Sequence, residues 1–171
     1  MRRVFCLLLA CFALAAPAQA REAAVGWMPY LNERYGFSFR YPAGLFEPER
    51  RTEAGDGEMF ASVRGNARLL VGAFENADGH TIESYMNYIR KKSYSGYGVE
   101  YSPRGQTWFV LSGENAQNVF YEKVMFSCAG RVISSFALIY PISSKAMFDP
   151  IVEGIEKTFR SGQNCGRYER P

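Results

Sequence analysis

The amino-acid sequence predicts an α+β domain in which helices pack on an antiparallel sheet, and three observations lead to this class. Several segments alternate apolar and polar residues with the period of two that a half-buried strand requires. Two other segments repeat apolar residues at intervals of three and four, which gives a helix one apolar stripe. The connections between the last four predicted strands are short, and short connections join antiparallel neighbours.

The first predicted strands lie before residue 75. Residues 35–42 carry an aromatic side chain at every second position and end in proline, which is typical of a half-buried strand. Residues 43–57 are rich in glycine, proline and charge, and therefore predict a loop. Residues 59–63 and 68–74 predict two strands, and residues 64–66 between them are typical of a hairpin turn.

An amphipathic helix is predicted after Thr81, a residue type that caps helix N-termini, with Glu83 in the first turn. Its apolar stripe comprises Ile82, Tyr85, Met86 and Ile89, and the cations Arg90, Lys91 and Lys92 close its last turn. A second helix is predicted from Ser143 or Ser144 to about Phe159, with Pro150 starting or kinking it and Gly162 near its C-cap.

Four further strands are predicted between the two helices, at residues 99–102, 107–112, 119–128 and 131–140. The last of these segments is apolar nearly throughout, as expected of a central strand that is buried on both faces. Together the four segments predict an antiparallel meander.

The N-terminus has the three parts of a secretory signal peptide. Two arginines precede a short apolar run, and the small residues before Arg21 predict cleavage after Ala20. An alternative is a lipoprotein, in which Cys11 would carry the lipid, although Cys11 lies inside the apolar run rather than after it. No later segment is long and apolar enough to cross a membrane. The sequence therefore predicts a mature protein that is periplasmic or secreted.

Composition predicts one domain and argues against nucleic acid as a partner. Removal of residues 1–20 lowers the formal net charge from +3 to about +1, whereas nucleic-acid binding usually needs a clustered basic surface. The mature chain of about 150 residues is long enough to bury one core. We expect a lead-in at residues 21–34, the α+β domain at residues 35–160 and a tail at residues 161–171.

Two cysteines, Cys128 and Cys165, remain after the signal peptide is removed. In an oxidising compartment they permit one intramolecular pairing, which predicts a disulfide between the C-terminal tail and the sheet. The alternative is a redox pair, but catalytic dithiols are usually separated by only two residues.

Catalytic and metal-binding patterns are scarce. The single histidine, His80, lies in a predicted turn, so the sequence favours a solvated turn residue over a catalytic one. Asn76 and Asp78 are a weak calcium alternative, because turns prefer the same residue types. Glu122 shares a strand face with apolar neighbours, which indicates either a site or a carboxylate at an edge or paired with an arginine. No cofactor or metal is predicted.

A binding surface is predicted around the loop that follows the first helix. Tyr94 and Tyr97 lie on a flexible, glycine-containing backbone, and Trp108 is near them in sequence. Arg90, Lys91 and Lys92 add positive charge beside the loop. The alternative is that the cations only complement the helix end and the tyrosines cover the edge of the core.

The run Tyr-Gly-Phe-Ser-Phe-Arg-Tyr-Pro at residues 35–42 resembles the opening strand of the PsbP-like fold superfamily, and the order of elements is similar over most of the mature chain. The resemblance implies an α-β-α sandwich and a binding or accessory role, but it transfers no functional residue. We therefore expect an exported, non-enzymatic binding or accessory domain whose partner is another envelope protein or a small ligand. The alternatives are an enzyme with a site near Glu122 or His80, and a structural component of the envelope.

Overall fold

Nine strands, two α-helices and a short 3-10 helix, Ile142–Ser144, form within residues 26–166, the part of the chain that the computed structural model describes. The predicted signal peptide, residues 1–20, lies outside the described residues, as do residues 167–171 of the predicted tail. The strands are β1 Trp27–Leu31, β2 Ser38–Pro42, β3 Phe46–Arg51, β4 Gly57–Ser62, β5 Arg68–Glu75, β6 Gly98–Tyr101, β7 Trp108–Glu114, β8 Asn118–Ser127 and β9 Val132–Pro141. The helices are α1 Ile82–Lys92 and α2 Lys145–Thr158. Within the described range, no helix combines the length and the apolar character needed to span a membrane.

Seven of the strands form one antiparallel sheet in the order β3-β4-β5-β9-β8-β7-β6, and β1 pairs with β2 in a separate hairpin. The prediction that residues 131–140 form a central strand is confirmed, because β9 is the fourth of the seven strands and is mostly buried. The predicted meander is also confirmed, since β6, β7, β8 and β9 are consecutive neighbours.

Two strands lie where the sequence predicts none. β1 lies in the predicted lead-in, and only Trp27 and Tyr30 of this strand are half-buried, so its apolar pattern is weak. β3 lies in the predicted loop and is an edge strand on which every residue after Phe46 is exposed. An edge strand tolerates charge and proline because one side makes no sheet hydrogen bonds. Such a sequence therefore resembles a loop.

Local chemistry fixes the start of α1. The Thr81 hydroxyl accepts from the Ser84 amide at 3.1 Å, and the Ser84 hydroxyl accepts from the Thr81 amide at 2.9 Å. This reciprocal pair satisfies two of the amide groups that a helix start leaves without partners. α2 starts without such a pair, because the Ser144 side chain makes no capping hydrogen bond.

The end of α2 differs from the prediction. The helix is capped by Phe159 in an extended conformation, so Gly162 is not its C-cap glycine. Gly162 instead lies against the backbone of Tyr35, and a Cβ atom there would be 2.3 Å from the Tyr35 carbonyl oxygen. Glycine is therefore required at this position for a close approach between two backbones rather than for a turn.

The apolar residues form two clusters, and alternate side chains of β8 enter different ones. Phe120 and Val124 pack with the buried face of α1, whereas Val119 and Tyr121 belong to the cluster that contains α2 and β2. Because successive side chains of a strand point to opposite faces, α1 and α2 pack against opposite faces of β8.

Neither helix covers the whole width of its sheet face. A helix is about 10 Å wide and strands lie about 4.8 Å apart, so one helix covers roughly two strands. α1 packs over β7 and β8, with Phe109, Phe126 and Ile133 beneath it. The same face of β4 and β5 extends beyond α1, and this uncovered part contains the candidate site.

Candidate functional site

The structure divides the predicted binding surface between the two faces of the sheet. Trp108 is opposite Met125 in the β7–β8 register, and the Lys123 ammonium lies 5.4 Å from the centre of its ring. Lys123 also forms a 3.1 Å salt bridge with Glu156 of α2, which places this group on the α2 face. Tyr97 packs on the α1 face. Trp108 is close to the tyrosine loop in sequence, but the two lie on opposite faces of the sheet.

Tyr94 is part of the core rather than of an exposed loop. It is 4% exposed, and its ring stacks on Phe120 with centroids 3.7 Å apart. It follows the last turn of α1, so its ring extends the apolar stripe that ends at Ile89. Tyr97 is half-buried, with its ring edge-on to Phe120 at 5.0 Å. Tyr94 cannot contact a partner from this position, which corrects the prediction.

Glu122 is the buried partner of Tyr94. Its carboxylate accepts a 2.7 Å hydrogen bond from the Tyr94 hydroxyl and a second from Ser135. The residue is 8% exposed, and burial raises the pKa of its carboxyl group, while the two hydrogen bonds oppose that increase. The sequence analysis expected Glu122 to lie at a sheet edge or to pair with an arginine. In the structure it lies on the interior strand β8, and its partner is Tyr94. This arrangement holds the loop after α1 in place.

His80 lies at the wall of an open cleft of about 1010 Å³ between the start of α1 and the β8–β9 turn. Its Nδ1 is 3.2 Å from the Ser84 hydroxyl, and its Nε2 is 4.0 Å from the Asp78 carboxylate. These residue types resemble a triad, but the acid is too far away for a hydrogen bond. The Ser84 hydroxyl also serves the capping pair with Thr81. The geometry favours a turn histidine.

The Asn76 side chain organises the turn before α1 rather than a calcium site. Its amide nitrogen donates to the carbonyl oxygens of His80 and Gly130, and its oxygen accepts from the His80 amide at 2.8 Å. Both ends of the side chain are therefore engaged with the backbone. Within residues 26–166, no group of three or more acidic, histidine or cysteine side chains is arranged to hold a metal ion.

The uncovered half of the α1 face carries an exposed apolar surface that the sequence reasoning missed. Leu70 and Phe74 lie four residues apart on the same face of β5, and each is 39% exposed. Tyr88 of α1 is 47% exposed and stacks with Tyr85, which in turn lies 5.7 Å from Phe74 between ring centres. We call this surface, formed by Met59, Leu70, Phe74, Tyr85 and Tyr88, the β5–α1 groove.

Three shallow depressions follow the groove, with volumes of about 310, 500 and 250 Å³. Phe74 and Tyr88 line the first, Arg68 and Ile139 the second, and Met59 and Leu70 the third. The first depression lies near the end of β5, the second near its beginning, and the three have no lining residue in common.

The predicted cations retain a place beside this groove. Lys91 and Lys92 are exposed, and Lys92 follows Tyr88 by four residues, so it lies on the same side of α1. Arg90 is half-buried, and its Nε is buried without a hydrogen-bond partner among the described residues. Of the six predicted surface residues, the basic group and Tyr97 thus share the α1 face with the groove.

Comparison with known proteins identifies the fold. No protein-family model matches the chain, and no curated protein matches its sequence. The Ran-binding protein Mog1p of Saccharomyces cerevisiae superimposes with a TM-score of 0.59 at 12% identity, over 81% of this chain and 96% of Mog1p. Cyanobacterial PsbP (CyanoP) of Synechocystis sp. PCC 6803 gives a TM-score of 0.58 at 15% identity, over 90% of this chain and 98% of CyanoP. The resemblance noted at residues 35–42 is confirmed at the level of architecture: the chain has the PsbP/Mog1 fold.

Proposed function

We propose that this protein is an exported, non-enzymatic binding domain that contacts another protein of the cell envelope through the β5–α1 groove. The observation that carries the proposal is the exposed apolar strip of Leu70, Phe74 and Tyr88. Exposed apolar side chains on one face of a soluble protein often mark an interaction site, and aromatic residues are enriched in protein interfaces.

The fold supports a binding role. Mog1p, which has the same fold, is a Ran-binding protein, so the architecture serves protein recognition in at least that case. We also propose that the layers form an α-β-α sandwich of the PsbP type. The packing of α1 and α2 on opposite faces of β8 supports this arrangement. Export is supported by the Cys128–Cys165 disulfide, because such bonds persist in oxidising compartments.

Crosslinking in the intact envelope, followed by affinity capture, tests the proposal. The wild type is compared with the double variant Leu70→Ser and Phe74→Ser, which makes the groove floor polar without changing a fully buried residue. We expect the double variant to lose a specific partner by tenfold or more. The matched control is Tyr101→Ser, since Tyr101 is 55% exposed and lies on the edge strand β6. The control should retain the partner.

Each other outcome has a defined meaning. A partner that both variants retain would place the binding surface elsewhere, and Lys91→Ala with Tyr97→Ser would then test the loop after α1. A complete lack of specific partners for the wild type would contradict the binding proposal. In that case the structural-component and enzyme alternatives would gain support, and the cleft beside His80 would be the place to search for activity.

A further inference from the structure

We infer that the pocket at the end of β5 binds a small organic cation, namely a free solute that carries a methylated ammonium group. The pocket has a volume of about 310 Å³ and is lined by the end of β5, the turn that follows it and α1. This volume is at the lower end of the range of roughly 300–1,000 Å³ that ligand pockets have, so the ligand is small. The inference goes beyond the proposed function, because the purified protein would bind the cation without any protein partner.

Four aromatic rings line the pocket, and they belong to Phe74, His80, Tyr85 and Tyr88. The rings of Phe74 and Tyr85 are 5.7 Å apart between centroids, with their planes at 56°. The His80 ring is 5.4 Å from that of Tyr85 and 5.6 Å from that of Tyr88. Rings at different angles border one small volume from several sides. Proteins recognise quaternary ammonium groups with such sets of rings, because the face of an aromatic ring attracts a cation.

Two of the four rings are held in place by other parts of the fold. Tyr85 is buried, and its ring is edge-on to Phe109 and Phe126 at 6.2 and 6.1 Å. The His80 amide donates to the Asn76 side-chain oxygen at 2.8 Å, and its carbonyl accepts from the Asn76 side-chain nitrogen at 2.8 Å. These walls are therefore in position before a ligand arrives, which lowers the entropy cost of binding.

The charge of the lining has the sign that a cation requires. Glu75 and Asp78 are among the described residues that line the pocket, and none of those residues is a lysine or an arginine. The Asp78 carboxylate is 4.0 Å from Nε2 of His80, so it lies beside one of the rings. Lys92, one helical turn beyond Tyr88, is not among the lining residues. Negative charge beside aromatic rings favours a cation over an anion or a neutral apolar group.

The same charges favour a free solute over a lipid headgroup. In phosphatidylcholine a phosphate lies only a few atoms from the ammonium group. An ammonium group bound among the rings would bring that phosphate close to Asp78, and like charges at close range are unfavourable. A free alkylammonium compound such as choline carries no phosphate and avoids this repulsion.

Titration of the purified protein with choline, followed by NMR of the aromatic side chains, tests the inference. The matched ligand is the uncharged alcohol in which a tert-butyl group replaces the trimethylammonium group of choline. We expect saturable shifts at Phe74, Tyr85 and Tyr88 with choline, and at least tenfold weaker binding of the alcohol. Equal binding of the two ligands would overturn the inference, because the pocket would then select apolar shape alone. The absence of saturable shifts with choline would overturn it as well.

Two variants and two controls locate the site. We expect Tyr88→Leu, which removes a ring but keeps an apolar side chain, to weaken choline binding at least fivefold. Asp78→Asn should weaken it about threefold at low salt and little at high salt, because Asp78 is exposed and its charge is screened. Tyr101→Leu and Glu100→Gln change an exposed tyrosine and an exposed acid on β6, and both should bind choline as the wild type does. Equal losses in the controls would overturn the assignment to this pocket.

Sedimentation with phosphatidylcholine vesicles separates the free solute from the lipid. We expect the wild type to stay in the supernatant, and co-sedimentation that Tyr88→Leu abolishes would overturn the assignment to a free solute. Failure of this inference is distinguishable from failure of the proposed function. Asp78 is not part of the β5–α1 groove, so Asp78→Asn should retain the envelope partner while it weakens choline binding.

Discussion

Replacing Glu122 with glutamine is expected to stabilise the fold at neutral pH and to remove part of its pH dependence. The wild-type carboxyl group is buried beneath Tyr94, and burial raises its pKa. Folding therefore shifts the protonation equilibrium of this carboxyl group toward the neutral form relative to the unfolded chain, while the hydrogen bonds from Tyr94 and Ser135 oppose the shift. Glutamine has nearly the same shape and is neutral at every pH. It retains an acceptor for the Tyr94 hydroxyl without the cost of a buried charge.

The direction of the pH effect follows from linkage. A carboxyl group with a raised pKa in the folded state contributes its full stability below its ordinary pKa, near 4.5. As the pH rises above that value, the unfolded chain releases a proton that the folded chain retains. The free energy of unfolding then falls by about 1.4 kcal/mol per pH unit until the folded pKa is reached. The wild type should lose this contribution with rising pH, and Glu122→Gln should not.

Urea unfolding of both proteins between pH 4 and pH 8 measures the difference. The expected result is two curves of stability against pH that separate progressively as the pH rises, with the variant the more stable. Parallel curves would show that the Glu122 carboxyl does not titrate differently in the folded state. Tyr94→Phe is the matched control, since it retains the ring on Phe120 but removes the hydroxyl. It should cost about 1–3 kcal/mol in the wild type, because a buried carboxyl group loses a partner.

The sequence was sufficient for the elements whose pattern is local. The alternation of aromatic residues in residues 35–42, the capping residue Thr81 and the apolar run of β9 each depend on neighbours within a few positions. The structure agrees with the last two, and the predicted first strand is present as β2 but begins only at Ser38. β1 and β3 could not be predicted in this way. Their exposed residues carry little apolar periodicity, and their pairing with β2 and β4 provides what the pattern lacks.

The candidate site was harder to predict because it depends on which elements cover which face. The alternation along β5 shows that Leu70 and Phe74 share a face, but both faces of this strand carry apolar residues, so the pattern does not show which face is covered. Only the position of α1 over β7 and β8 leaves that face uncovered. Tyr94 and Glu122 are 28 residues apart, so no local pattern indicates that the Tyr94 hydroxyl donates a hydrogen bond to the Glu122 carboxylate.

Removal of the Cys128–Cys165 disulfide is expected to lower the free energy of unfolding by about 2–4 kcal/mol. The bond joins positions separated by 37 residues and links the tail to the β8–β9 turn. The tail also contacts the loop between β1 and β2, where the Asn164 side chain donates to the Glu33 carbonyl at 2.9 Å. Without the covalent link, the unfolded chain gains conformational freedom and the tail is held by hydrogen bonds alone.

The test compares urea unfolding of the wild type, with and without reductant, with that of Cys128→Ser, Cys165→Ser. Reductant should move the wild-type midpoint to that of the double variant and should leave the variant unchanged, which separates loss of the bond from loss of the sulfur atoms. Amide exchange should increase first in residues 161–166, whereas β8 and β9 should stay protected, because their ladder does not depend on the tail. Equal midpoints for all four samples would show that the hydrogen bonds around Asn164 already hold the tail. The bond would then contribute little to the stability of the protein.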